Sequence, residues 1–112
     1  MWIFTTFGFF SVTEVRNDYN ESRERRKGAA GPHIPAQPEG TLQVRARVRG
    51  DLDNFRDRYL PELSKIYAMP WRDYPYRAFA SKEHFAAAMT LVVQDLTYNN
   101  FKSTVSQEQG YD

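Results

Sequence analysis

Three arginines alternate with small apolar residues in the run Leu42-Gln43-Val44-Arg45-Ala46-Arg47-Val48-Arg49. On a strand, Arg45, Arg47 and Arg49 project from one face, roughly 6–7 Å apart at two-residue spacing. A guanidinium is permanently charged, and its planar fork gives two hydrogen bonds to one phosphate or carboxylate. Like charges in a row repel, so a carboxylate, a phosphate or solvent must offset them. Arg77 lies in a second apolar run, Tyr74-Pro75-Tyr76-Arg77-Ala78-Phe79-Ala80, and its parity can bring it to the same face. Tyr74 and Tyr76 beside it can stack bases, as aromatic side chains do on sheets that bind single strands. A solvated face, or an edge strand protected by charge, gives the same pattern.

A second basic cluster is Arg23-Glu24-Arg25-Arg26-Lys27. Arg23, Arg25, Arg26 and Lys27 can add a phosphate-contacting arm. Asp18, Glu21 and Glu24 dilute its field, and a solvated loop is the simpler reading.

The other reactive residue types form no catalytic pattern. His33 and His84 lack metal-ligand spacing, and there is no cysteine. No nucleophile elbow, P-loop or dinucleotide fingerprint is present. Asp51, Asp53 and Asp57 bunch at the start of a helix, where they complement its positive end and pair with Arg56 or Arg58. Ser81 is placed to cap a helix, and Asn99 and Asn100 to cap local backbone. Neither a catalytic residue, a metal nor a cofactor is expected.

The elements that must position these residues follow from composition and periodicity. The 112 residues suit one domain. The 15 basic and 14 acidic residues exclude a globally basic binder but permit a local basic face. Aromatics make up 15% of the chain, an efficient way to build a small core. The apolar run from Met1 to Phe10 has no basic flank and is too short to span a bilayer, so it reads as strand in a soluble, cytoplasmic protein without membrane association.

Residues 2–15 predict two short strands, 2–7 and 9–15, or one strand kinked at Gly8. Both parities of the first are apolar, the pattern of a strand central in its sheet or covered on both faces. Residues 16–41 are polar and carry Pro32, Pro35 and Pro38; they read as a long mobile loop with a helical turn near 20–27. The alternation over 42–49 predicts a half-buried strand. A helix then opens at Asp51 or Asp53 and ends near Leu60, before Pro61. Residues 64–75 read as loop, with Tyr67 and Trp71 packing back. A strand follows over 74–80, then a helix burying Phe85, Met89, Val92, Val93 and Leu96, and a short last helix from Phe101 to Gly110.

This order predicts an α+β fold: a small two-layer sandwich whose antiparallel or mixed sheet of about four strands carries two to three helices on one face, ferredoxin-like or related.

The segments Met1-Trp2-Ile3-Phe4-Thr5, Gly8-Phe9-Phe10-Ser11, Val44-Arg45-Ala46-Arg47, Asp73-Tyr74-Pro75-Tyr76-Arg77 and Tyr98-Asn99-Asn100-Phe101-Lys102 together resemble a group of small bacterial proteins with no assigned activity. The resemblance covers most of the chain outside the long loop. It implies a single-domain bacterial protein and supplies no catalytic residue. The expectation is a non-enzymatic binding or accessory protein. Its arginine face and basic loop would take an acidic macromolecule, either nucleic acid or an acidic protein surface. The alternatives are a structural homo-oligomer or an interaction module, including a phage-type inhibitor of a nucleic-acid-binding complex, and, behind these, a small enzyme with a site between subunits.

Overall fold

The computed structural model describes residues 1–16 and 33–96. The basic cluster Arg23, Arg25, Arg26 and Lys27 lies outside them, as do the expected last helix and most of the expected mobile loop. Strands β1 (Trp2–Thr5), β2 (Gly8–Glu14) and β3 (Leu42–Ala46) come first. Helix α1 (Arg49–Arg58), strands β4 (Tyr67–Ala68) and β5 (Tyr76–Ala80), and helix α2 (Lys82–Gln94) follow. The five strands form one sheet in the order β1-β2-β3-β5-β4, with every neighbouring pair antiparallel.

The α+β class and the two-layer arrangement hold. Among the described residues the connectivity is not the βαββαβ of a ferredoxin-like unit, which interleaves its helices with its strands. Three of the described strands precede the first described helix. The fifth strand, β4, falls inside the region expected to be loop. Two residues are too few to show a period.

Strand parity divides the sheet into two faces. Phe10, Val12, Val44, Ala46, Ala78 and Ala80 face the helices and join Leu52, Phe55, Phe85, Ala88 and Val92 in the main core. Its centre is aromatic: Phe7, Phe10, Phe55 and Phe85 meet at ring separations of 5.0–5.9 Å. The opposite face carries Trp2, Ser11, Arg45, Arg77 and Tyr67, aligned in one row across all five strands by the register.

The alternation over 42–49 is realised only as far as Ala46. Val48 is the N-cap of α1 without a side-chain cap, and Arg49 is the first helical residue. The chain turns early because β2 and α1 come very close here. A Cβ on Gly8 would lie 2.8 Å from Asp51 Cβ and 2.7 Å from the Phe10 ring. Helix α2 starts as its sequence predicts, with Ser81 Oγ accepting the His84 N–H at 3.1 Å. It buries Phe85, Ala88 and Val92, whereas Val93 and Leu96, expected in the core, are exposed.

The β2–α1 contact makes Gly8→Ala a direct test of this packing. Overpacking of this kind costs about 1–3 kcal/mol. Urea unfolding of Gly8→Ala is expected to show that loss, because the added methyl meets the Asp51 side chain of a packed helix.

Candidate functional site: an aromatic and arginine groove on the open sheet face

Among the described residues, the face opposite the helices is closed over one half and open over the other. On the β5–β4 side, Tyr67 and Phe79 pack with Ile34 and Met69 in a second small core, with Val15 and Trp71 at its margin. Ile34, inside the long polar segment, is buried and closes this half. Tyr67 and Trp71 do pack back, as their sequence context suggests.

At the boundary stands Arg77. It lies opposite Arg45 in the register, as its parity predicts, but it is 2% exposed. Its guanidinium donates to Gln43 Oε1 at 3.2 Å and to the Tyr74 carbonyl at 3.2 Å. Gln43 in turn donates from Nε2 to Thr13 Oγ1 at 2.8 Å. The expected wet parity is therefore dry at Gln43 of β3 and Arg77 of β5, because residues of the 33–41 and 69–75 segments pack over this part of the face. Arg77 orders this face and offers no surface to a partner.

Arg45 is half-buried and donates to Ser11 Oγ at 2.7 Å. Its Nε is buried without a hydrogen-bond partner among the described residues. Arg49 has left the stripe for α1, where it pairs with Asp53 at 3.9 Å. Asp53 also pairs with Arg56 at 3.5 Å, the helix-face pairing expected of these aspartates. Tyr76 points to the helix side and packs against the main core. It is one residue out of phase with Arg77, so the two cannot share a face. The sequence-predicted cluster thus reduces to Arg45, Arg47 and Tyr74.

These three form one side of the open half. The Tyr74 ring lies 5.0 Å from the Arg47 guanidinium and 5.9 Å from that of Arg45. It also meets Trp2 edge-on at 5.3 Å. The other side is Phe4, stacked edge-on against Phe9 at 5.4 Å. Trp2, Phe4, Phe9, Arg47, Val48, Asp51 and Tyr74 enclose an open groove of about 420 Å³. Trp2 and Phe4 are 59% and 61% exposed. Arg47 is exposed and has no carboxylate partner among the described residues.

The double parity of the first strand predicts Trp2 and Phe4 as central or covered. Strand β1 is instead an edge strand, and its second apolar face is the floor of the groove. The signal available in the sequence was the same double parity. An apolar second face needs a cover, and nothing else in the sequence was assigned to provide one.

Asp51 closes the end of the groove. The N–H of Phe9 faces the β3 side of β2, beyond the point where β3 stops. Asp51 Oδ2 accepts it at 3.2 Å. Burial holds the Asp51 carboxyl above its ordinary pKa of 3.8, and the Phe9 hydrogen bond pulls the other way. The side chain that looked like a plain helix-end charge thus replaces a missing β3 carbonyl.

Comparison with protein families, with curated proteins and with solved structures finds no match. What the groove can do therefore rests on its own residues. No helix among the described residues is long and apolar enough to cross a membrane.

The raised Asp51 pKa has a definite stability signature. The folded protein holds this proton more tightly than the unfolded chain does. The stability Asp51 contributes is thus fully present below the unfolded value and is lost as pH rises through the folded one. Asp51→Asn keeps an oxygen for the Phe9 N–H and cannot ionise. Urea unfolding between pH 4 and 7 is expected to show the wild type losing stability relative to Asp51→Asn as pH rises. Parallel curves would contradict the assignment.

Proposed function

We propose that this protein is a non-enzymatic binding protein whose open sheet face takes a single strand of nucleic acid. One observation carries the reading: exposed Trp2 and Phe4 flank a groove whose only exposed arginine, Arg47, is stacked on Tyr74 and lacks a carboxylate among the described residues. Bases have apolar faces and a charged backbone. A sheet that offers aromatic rings beside an uncommitted guanidinium suits both parts. Stacking contributes about 1–3 kcal/mol per base, so a few rings suffice for useful affinity. The balanced overall charge means that affinity comes from the groove more than from a long-range field.

The half-buried Arg45 supports Arg47 in this reading by holding the Tyr74 ring from below. Arg77 acts one step further back, through the Tyr74 backbone. The reading takes the protein to be bacterial, as the sequence resemblance implies, and cytoplasmic, as its short apolar runs suggest. An acidic protein surface is the competing partner. It would use Arg47 but gain little from ring faces set on a groove floor.

Fluorescence anisotropy with short labelled DNA and RNA strands tests this. Trp2→Ala and Phe4→Ala are each expected to weaken binding by about 5- to 150-fold, the equivalent of one lost stack. Arg47→Gln is expected to lower the salt slope by about 0.7, one phosphate contact on a single strand. Wild-type protein that binds an acidic peptide at low salt, but no oligonucleotide, would move the assignment to a protein partner.

A further inference from the structure

We infer that β1 is a dimerisation edge, pairing antiparallel with β1 of a second copy about a two-fold axis at Ile3. The argument begins with the backbone. Met1 and Val12 exchange both of their hydrogen bonds, each at 2.7 Å. The register continues this pairing through Ile3↔Phe10 and Thr5↔Gly8. In an antiparallel pair the residues alternate between bonded and non-bonded positions. Met1, Ile3 and Thr5 therefore spend their backbone groups on β2. The N–H and C=O of Trp2 and of Phe4 point out of the sheet. The order β1-β2-β3-β5-β4 leaves β1 at the edge, with no strand beyond it among the described residues.

Sheet edges in stable monomers are blunted by charge, proline, bulges or covering segments. From Met1 to Phe7 this chain has no charged side chain and no proline. The register of β1 on β2 runs without a bulge. The only charge, the terminal ammonium, is held on Val12 O. The other edge, β4, is two residues long, which is itself a means of protection.

A second copy fits this edge better than an unrelated strand because the edge is complementary to itself. With the axis at Ile3, Trp2 of each copy lies opposite Phe4 of the other. Both are the residues whose backbone groups point outward, so each such pair can exchange both hydrogen bonds. Trp2 and Phe4 also share one face, so the same register sets aromatic rings side by side across the junction, a favourable cross-strand pair. Ile3 meets Ile3 of the partner on the helix side. Met1 lies opposite Thr5 of the partner, so the two ammonium groups are separated by roughly 13 Å along the strand. That exceeds the screening length of about 8 Å at physiological ionic strength. No like charges are brought together.

The pairing would extend the sheet through both molecules and set their grooves side by side. Trp2 and Phe4 of each copy would then border the groove of the other. The inference does not rest on the nucleic-acid reading, since the outward backbone groups belong to the edge and not to the groove floor.

Sedimentation equilibrium of the wild type is expected to give about twice 13.1 kDa. Phe4→Pro removes one outward N–H and no bond to β2, so it is expected to yield a folded monomer by circular dichroism. Phe4→Lys, which keeps the backbone intact and adds an edge charge, is expected to do the same. In the wild type, the Trp2 and Phe4 amides are expected to exchange slowly with solvent, and faster on dilution. A wild type that stays at 13.1 kDa up to millimolar concentration would overturn the inference. So would a dimer that survives Phe4→Lys, or Trp2 and Phe4 amides that exchange at the unprotected rate. Arg47→Gln, which lies off the β1 edge, is expected to weaken oligonucleotide binding and leave the dimer intact, which separates this inference from the groove reading.

Discussion

A cation with almost no exposed surface organises the non-helical face of this protein. Removing a guanidinium from water is costly unless hydrogen bonds replace the water it loses. Arg77 meets part of that requirement with the side chain of Gln43 and the backbone carbonyl of Tyr74, while its buried Nε makes no hydrogen bond among the described residues. The first bond ties β5 to β3, and through Thr13 to β2. The second fixes the start of β5, and with it the position of the Tyr74 ring. That ring covers Arg45, reaches Arg47 and touches Trp2. One buried charge therefore sets both where the closed half ends and where the groove begins.

The two halves of the face solve one problem differently. Among the described residues the sheet carries helices on one side only, which leaves a second side to cover. On the β4–β5 side the chain supplies Ile34, Met69 and Trp71 from its own loops, and the result is a small dry core. On the β1–β2 side it supplies rings that remain in solvent. Large exposed aromatics gathered around one groove are uncommon on a monomer and mark interaction surfaces. The buried carboxyl of Asp51 is part of the same arrangement. It lets β2 keep a satisfied backbone where β3 gives way to α1, so the groove has a defined end.

Much of the architecture was legible because it rests on local rules. Strict alternation identified β3, Gly8 lies where the first two strands separate, and Ser81 announced α2. What failed depended on distant chain. Alternation tells which residues share a face of β3 but not which face is wet. Arg77 and Gln43 are dry because irregular segments, 33–41 and 69–75, fold over this part of the face. Arg49 left the arginine stripe because Gly8 admits α1 so close to β2 that the helix begins early. Tyr76 and Arg77 looked alike as surface groups, yet neighbouring residues on a strand face opposite sides. The sequence pattern implies cover for Trp2 and Phe4 because hydrophobicity alone cannot distinguish a covered face from one awaiting a partner. Of the candidate site, Arg45, Arg47 and Tyr74 were visible in the sequence, while Trp2, Phe4, Phe9 and Asp51 became part of it only through the sheet register and the turn into α1.

The central claim is that the open half of the face, and not the closed half or the helix layer, is the binding surface. Two-dimensional NMR of labelled protein titrated with a short single-stranded oligonucleotide tests it most directly. The account predicts shifts in the Trp2 indole, the Phe4 and Phe9 amides, the Tyr74 ring and the Arg47 side chain. It predicts little change at Tyr67, Phe79 or along α2. Shifts confined to α2 or to the closed half, or no shifts at saturating strand, would contradict it.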